Sequence, residues 1–132
     1  MNYQELKLKH SKEMDGFEGI FFAFNNEQFK EGMEKVGLKE DETPKICRLV
    51  AGGFILKSRI AAFDEMMTRQ NKERQDLRKE RKATLDALVY ELQNHEFCIT
   101  HDPQDALDAL GWDINDVSKD VLKEAMAKAV AV

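Results

Sequence analysis

The chain has 132 residues, 42% hydrophobic and 34% charged, with a formal net charge of −5. That length fits one domain with one core, and that balance excludes a disordered chain. Cys47 and Cys98 are too isolated for a disulfide framework or a CxxC zinc site, and no apolar run reaches the roughly 18 residues of a membrane span.

Met1–His10 alternates polar and charged residues without the apolar stretch of a signal peptide. Residues 2–14 read as a short helix or an irregular arm anchored by Tyr3, Leu6, Leu8 and Met14. Gly19 to Phe24 is a short aromatic run, which favours a buried strand. Asn25 or Asn26 ends it and offers a cap to the next helix. There Phe29, Met33 and Val36 recur at i, i+4 and i+7 and share a face, and Gly37 stands where a left-handed terminator is expected. Ile46–Val50 and Phe54–Leu56 flank Ala51-Gly52-Gly53 and read as a β-hairpin.

Ser58 is a candidate cap for a long helical segment. Its apolar stripe (Ile60, Phe63, Met67) lapses over residues 68–84, where Leu77 is the only large aliphatic, and resumes at Leu85, Leu88, Val89 and Leu92. No Gly or Pro marks a break, so one helix over 58–98 with an exposed middle is preferred to two helices parted near Asn71 or Ala83. Phe97–Thr100 reads as a further strand. Asp102-Pro103 opens a helix with Ala106, Leu107 and Leu110 inward, closed by Gly111. A last helix over 115–130 turns Val117, Val121, Leu122, Ala125 and Met126 inward.

The fold expected is α+β and helix-dominated, with a small antiparallel sheet of three to four short strands (19–24, 46–56 and 97–100) and a long central helix. The whole of 1–132 reads as a single domain, with 1–16 as an arm and 112–132 as a C-terminal helical extension.

Charge is unevenly placed. Residues 68–84 carry seven basic and three acidic side chains, while residues 85–132 carry three and ten. A basic middle between acidic ends argues against direct nucleic-acid binding by the whole chain. Lys57, Arg59, Arg74, Arg78 and Arg81 are the candidates for a partner- or phosphate-binding face. The simpler account is a solvated helix in which Glu73, Asp76 and Glu80 pair with basic neighbours. Gly52-Gly53 lacks the spacing of a phosphate loop and is a turn.

The one compact set of reactive side chains is Glu91, Asn94, His95, Glu96, Cys98, His101 and Asp102, of which Glu91, His95, His101 and Asp102 are the candidate metal ligands. Glu91 and His95 share a helix face at i and i+4, and a carboxylate with two imidazoles can ligate a metal or move a proton. The spacing is not that of HExxH. Local roles are preferred: His95 at a helix end, Glu91 in a helix ion pair and Asp102 at the next helix start. No cofactor is expected.

Three segments carry a resemblance. They are Phe21-Phe22-Ala23-Phe24 with Gln28-Phe29-Lys30-Glu31-Gly32, then Gly52-Gly53-Phe54-Ile55, then Tyr90-Glu91-Leu92-Gln93-Asn94-His95-Glu96-Phe97-Cys98-Ile99-Thr100 leading to Asp102 and Ala106-Leu107-Asp108-Ala109-Leu110-Gly111. In this order, over residues 17–112, the chain resembles a family of small proteins of unassigned activity from bacteriophages and bacterial mobile elements. Phe97 stands where that family often has Tyr. The resemblance implies an accessory protein in a bacterial host cytoplasm and carries over no functional residues. The function expected is non-enzymatic binding of a host protein or a small phosphorylated ligand, such as inhibition of a bacterial defence system, by a homo-oligomer. A metal-dependent enzyme on Glu91, His95, His101 and Asp102 and a phage structural or assembly protein are the alternatives.

Overall fold

A computed structural model describes residues 1–131. Its regular elements are α1 (Tyr3–Asp15), β1 (Ile20–Phe22), α2 (Asn26–Lys35), β2 (Ile46–Arg48), β3 (Gly53–Leu56), α3 (Ile60–Asp76), α4 (Arg81–Asn94), α5 (Phe97–Thr100), α6 (Gln104–Leu110) and α7 (Lys119–Val130). The fold is the expected helix-dominated α+β, with one three-stranded antiparallel sheet among the described residues. No helix among them is long and apolar enough to cross a membrane. The chain's internal contacts gather into two compact units, residues 12–68 and residues 1–11 with 69–132.

In the 12–68 unit the sheet has the order β1-β3-β2. β1 pairs with β3 through Ile20↔Ile55, Phe21↔Phe54 and Phe22↔Gly53, and β2 with β3 through Ile46↔Leu56, Cys47↔Ile55 and Arg48↔Phe54. Alternation puts Phe21 and Phe54 on one face, where their rings stack at 5.2 Å. Helix α2 starts as its sequence indicates: the Asn25 side chain accepts from the Gln28 N–H at 2.8 Å. Met33 is fully buried on its inner face. Gly32 lets α2 approach Phe21, since a Cβ there would lie 2.1 Å from that ring. The hairpin turn needs two left-handed residues, Ala51 (φ 58) and Gly52 (φ 79). Ser58 caps nothing; it lies in a 3-10 turn, Lys57–Arg59, that leads into α3.

In the other unit α4 packs against α6 and α7. Leu88, Leu92, Leu107, Leu110 and Ala125 are fully buried there. Helix α1 joins this core through Tyr3, which is buried. Leu6 is buried too, but Leu8, expected as an anchor, is exposed. The last helical stretch divides into a 3-10 turn, Ile114–Asp116, and α7, whose N-cap Ser118 accepts from Val121.

Two expectations fail here for identifiable reasons. The central helix is not continuous: a 3-10 turn, Leu77–Lys79, separates α3 from α4, and Glu80 is extended (φ −121, ψ 133). No Gly or Pro is needed, because the Thr84 hydroxyl reaches the carbonyls of Leu77 at 3.2 Å and Glu80 at 2.8 Å. Phe97–Thr100 is one helical turn, not a strand. It is bounded by left-handed Glu96 (φ 56) and His101 (φ 56). Phe97 is buried while Ile99 is 73% exposed, so one side chain of the run is in the core. Closing a local turn satisfies its amides, with His101 N–H donating to Phe97 O at 2.8 Å.

Candidate functional site

The basic candidates are divided between the units, and most serve the fold. Arg59 donates to the Glu18 carbonyl at 3.1 Å and covers the Phe17 ring at 4.7 Å, while Lys57 is exposed. The helix middle expected to be bare is half-buried from Glu73 to Arg78. There the Arg74 carbonyl accepts from the Trp112 indole at 3.2 Å. Gln75 donates to the Gly111 carbonyl at 2.8 Å and Arg78 to the Asp116 carbonyl at 3.2 Å. These bonds satisfy main-chain groups in the connection between α6 and α7. Arg81 pairs with Glu124 at 2.5 Å, which holds the Glu124 carboxyl below its ordinary range.

Of the four alternative metal ligands, the structure brings two together. His95 closes α4, and its Nε2 lies 3.2 Å from Glu91 Oε2. His101 is exposed and stands edge-on to the Phe97 ring at 5.8 Å. Asp102 accepts from the Gln104 N–H at 2.9 Å, at the start of α6. No group of three His, Cys, Asp or Glu side chains able to hold a metal exists among the described residues.

Glu91 has a different setting from the one its sequence neighbours indicate. It is fully buried, and its Oε1 accepts from the Tyr3 hydroxyl at 2.6 Å and from Lys7 Nζ at 2.5 Å. Tyr3 and Lys7 are one helical turn apart on α1, so both reach a single carboxylate. Burial, then the bond to Glu91, pushes the Tyr3 hydroxyl far above its ordinary range, so it stays a donor at neutral pH. Lys7 also lies over the Tyr90 ring at 5.3 Å. One turn on, Glu73 takes Lys9 at 3.0 Å and Arg69 at 2.5 Å, with His10 at 3.7 Å. Burial works against the Glu73 charge, but the bonds from Lys9 and Arg69 outweigh it and lower its pKa. Two carboxylates thus hold the first turns of α1. Sequence reasoning missed this because the partners lie 84 and 88 positions apart; the i, i+4 pair Tyr3/Lys7 was the available signal.

At one end of the sheet three apolar side chains stand exposed. Phe22 is 53% exposed, Phe24 77% and Val50 88%. The Gly pair explains how they are held. A Cβ at Gly52 would lie 2.5 Å from the Phe24 ring, and one at Gly53 would lie 3.1 Å from both the Phe22 ring and the Leu49 side chain. The two glycines are therefore a bed for two exposed rings as well as a turn. Beside them a cleft of about 450 Å³ runs between α2 and β2, lined by Phe24, Phe29, Ile46, Arg48 and Phe54 among others. Phe29 stands edge-on to Phe54 at 5.2 Å, and the Arg48 guanidinium lies 5.8 Å from the Phe54 centroid.

The chain belongs to the family of unknown function DUF7659, whose match covers residues 2–131. No curated protein and no solved structure matches it. The DUF7659 match takes in α1 with Tyr3 and Lys7, the sheet with its exposed rings, and α7, so it spans both units.

Proposed function

We propose that this DUF7659 protein is a non-enzymatic accessory protein that works by binding another protein through the aromatic end of its sheet. The carrying observation is that Phe22, Phe24 and Val50 are held exposed, two of them on glycines, while Arg59, Arg78 and Arg81 are occupied within the fold. Exposed aromatic side chains on a rigid base are what protein interfaces enrich. The internal bonding of Arg59, Arg78 and Arg81 favours a protein partner over a phosphorylated ligand. The resemblance to phage and mobile-element proteins supplies the setting: a host bacterial protein in the cytoplasm, with a component of a defence system as the target. A helix middle left bare would suit a second copy of the chain; with residues 73–78 half-buried, a different partner is the better reading.

The test is capture from a bacterial host lysate, followed by reconstitution of the captured protein with the purified chain and sizing of the complex. A stoichiometric complex, lost in Phe22→Ser/Val50→Ser, is expected. No complex, or one indifferent to those changes, overturns the proposal.

A further inference from the structure

The cleft beside β2 combines three features that point to one kind of ligand. First, β2 is an edge strand that among the described residues pairs with β3 alone. Leu49 donates to Gly53 O at 2.7 Å, and antiparallel alternation then turns the N–H and C=O of Arg48 away from β3, toward the outer edge. Second, the cleft wall is aromatic, from Phe24, Phe29 and Phe54. Third, among the described residues Arg48 is the only charged one in the lining. It is exposed, and among the described residues no carboxylate pairs with it.

We propose that this edge and cleft bind an extended segment of the partner protein that carries both apolar and acidic side chains. This rests on the binding function proposed above. The segment adds as a strand beside β2, exchanging main-chain hydrogen bonds with Arg48. It sets an apolar side chain among Phe24, Phe29 and Phe54 and a carboxylate on the Arg48 guanidinium. Residue alternation along a strand delivers side chains to one face at every second position, so the cleft selects a spaced pattern. A nucleic acid would use the rings and the cation but leave the strand edge without a partner.

The experiment is selection of a random octapeptide library on the immobilised chain, with the best peptide then measured by fluorescence anisotropy. Peptides carrying Asp or Glu two positions from an aromatic or large aliphatic residue are expected. Arg48→Glu should weaken the selected peptide by about tenfold or more while leaving the urea midpoint unchanged. Exchange of the Arg48 amide with solvent should slow on binding. Selection of basic peptides or of none, binding indifferent to Arg48→Glu, or no change at the Arg48 amide overturns the proposal. So does saturable binding of oligo-dT that displaces the peptide, or self-association of the chain through β2. If the captured host protein still binds Arg48→Glu normally but not Phe22→Ser/Val50→Ser, this site is wrong while the binding function stands. If no host protein binds at all, the binding function fails as well.

Discussion

The two units treat their side chains in opposite ways. Around α4 a carboxylate is fully buried and three side chains converge on it, although charged residues belong by default on a surface. In the 12–68 unit phenyl rings, which belong by default in a core, stand in solvent. The buried carboxylate is matched with donors from a distant helix, so its burial fixes geometry. The exposed rings are matched only with glycines beneath them, so their exposure leaves an outer face for something else. Internal partners, more than residue type, distinguish a side chain that builds the fold from one that is displayed.

The largest expected effect breaks that contrast on the buried side. Glu91→Ala should cost about 2–5 kcal/mol, because a fully buried side chain is removed and the buried Tyr3 hydroxyl loses its acceptor, read as a lowered urea midpoint with partner binding retained below the transition. Tyr3→Phe removes one bond to the same charged group and should cost about 1.5–3 kcal/mol. In the 12–68 unit the matching test is Gly32→Ala. Its new Cβ would sit 2.1 Å from the Phe21 ring, and overpacking of that kind costs roughly 1–3 kcal/mol. A fully stable Gly32→Ala protein would show that α2 is not packed on the sheet as described.

Titration sharpens the comparison further. Glu73 is depressed from its ordinary 4.5, so above that value the folded and unfolded carboxyls are both ionised and its stabilisation is complete. As pH falls from 4.5 through the lower folded value, the unfolded chain binds the proton first and that stabilisation is lost. At the alkaline side Tyr3 is raised from 10.0. There the unfolded chain gives up its proton first, so stability falls as pH rises above 10. Urea midpoints across pH should therefore drop at both ends. Glu73→Gln should flatten the acid limb and Tyr3→Phe the alkaline one; limbs unchanged by both variants would discard these assignments.

Much of the fold was legible because its signals are local. Asn25 capping α2, Gly37 and Gly111 in left-handed conformations after α2 and α6, and the hairpin around Gly52-Gly53 each depend on residues a few positions apart. What was not legible turns on which local bonds the chain closes in place of the expected ones and, at Glu91, on partners distant in sequence. Phe97–Thr100 has the composition of a strand, yet it forms a helical turn in which its own amides are satisfied. The break at Leu77–Lys79 carries no Gly or Pro, and it is Thr84 that makes it acceptable. For the candidate site, the sequence grouped Glu91 and His95 with His101 and Asp102 only as the alternative; the preferred local role of Asp102 at the next helix start is the one the structure has, where it accepts from the Gln104 N–H, while His101 stands against Phe97. Spacing reads most of the phenylalanines as core and leaves one or two for an exposed patch without saying which; exposure and the glycines under them single out Phe22 and Phe24 from Phe21.

The smallest effect on stability carries the most functional information. Phe24→Ser removes a ring that is 77% exposed, so little apolar burial is lost and the midpoint should move by no more than about 0.5 kcal/mol. Gly52→Ala approaches the same ring from beneath. Its Cβ would lie 2.5 Å from Phe24 at a φ of +79, so the ring must shift and the backbone is strained by roughly 1–2 kcal/mol. If the rings are displayed for a partner, both variants should lose the captured protein while differing in stability. If Phe24→Ser instead unfolds the sheet, its ring is a structural cover and the contrast between the two units disappears. Phe24→Leu separates shape from hydrophobicity: it keeps an apolar side chain over Gly52, so retained folding with weakened capture would place the aromatic ring itself in the interface.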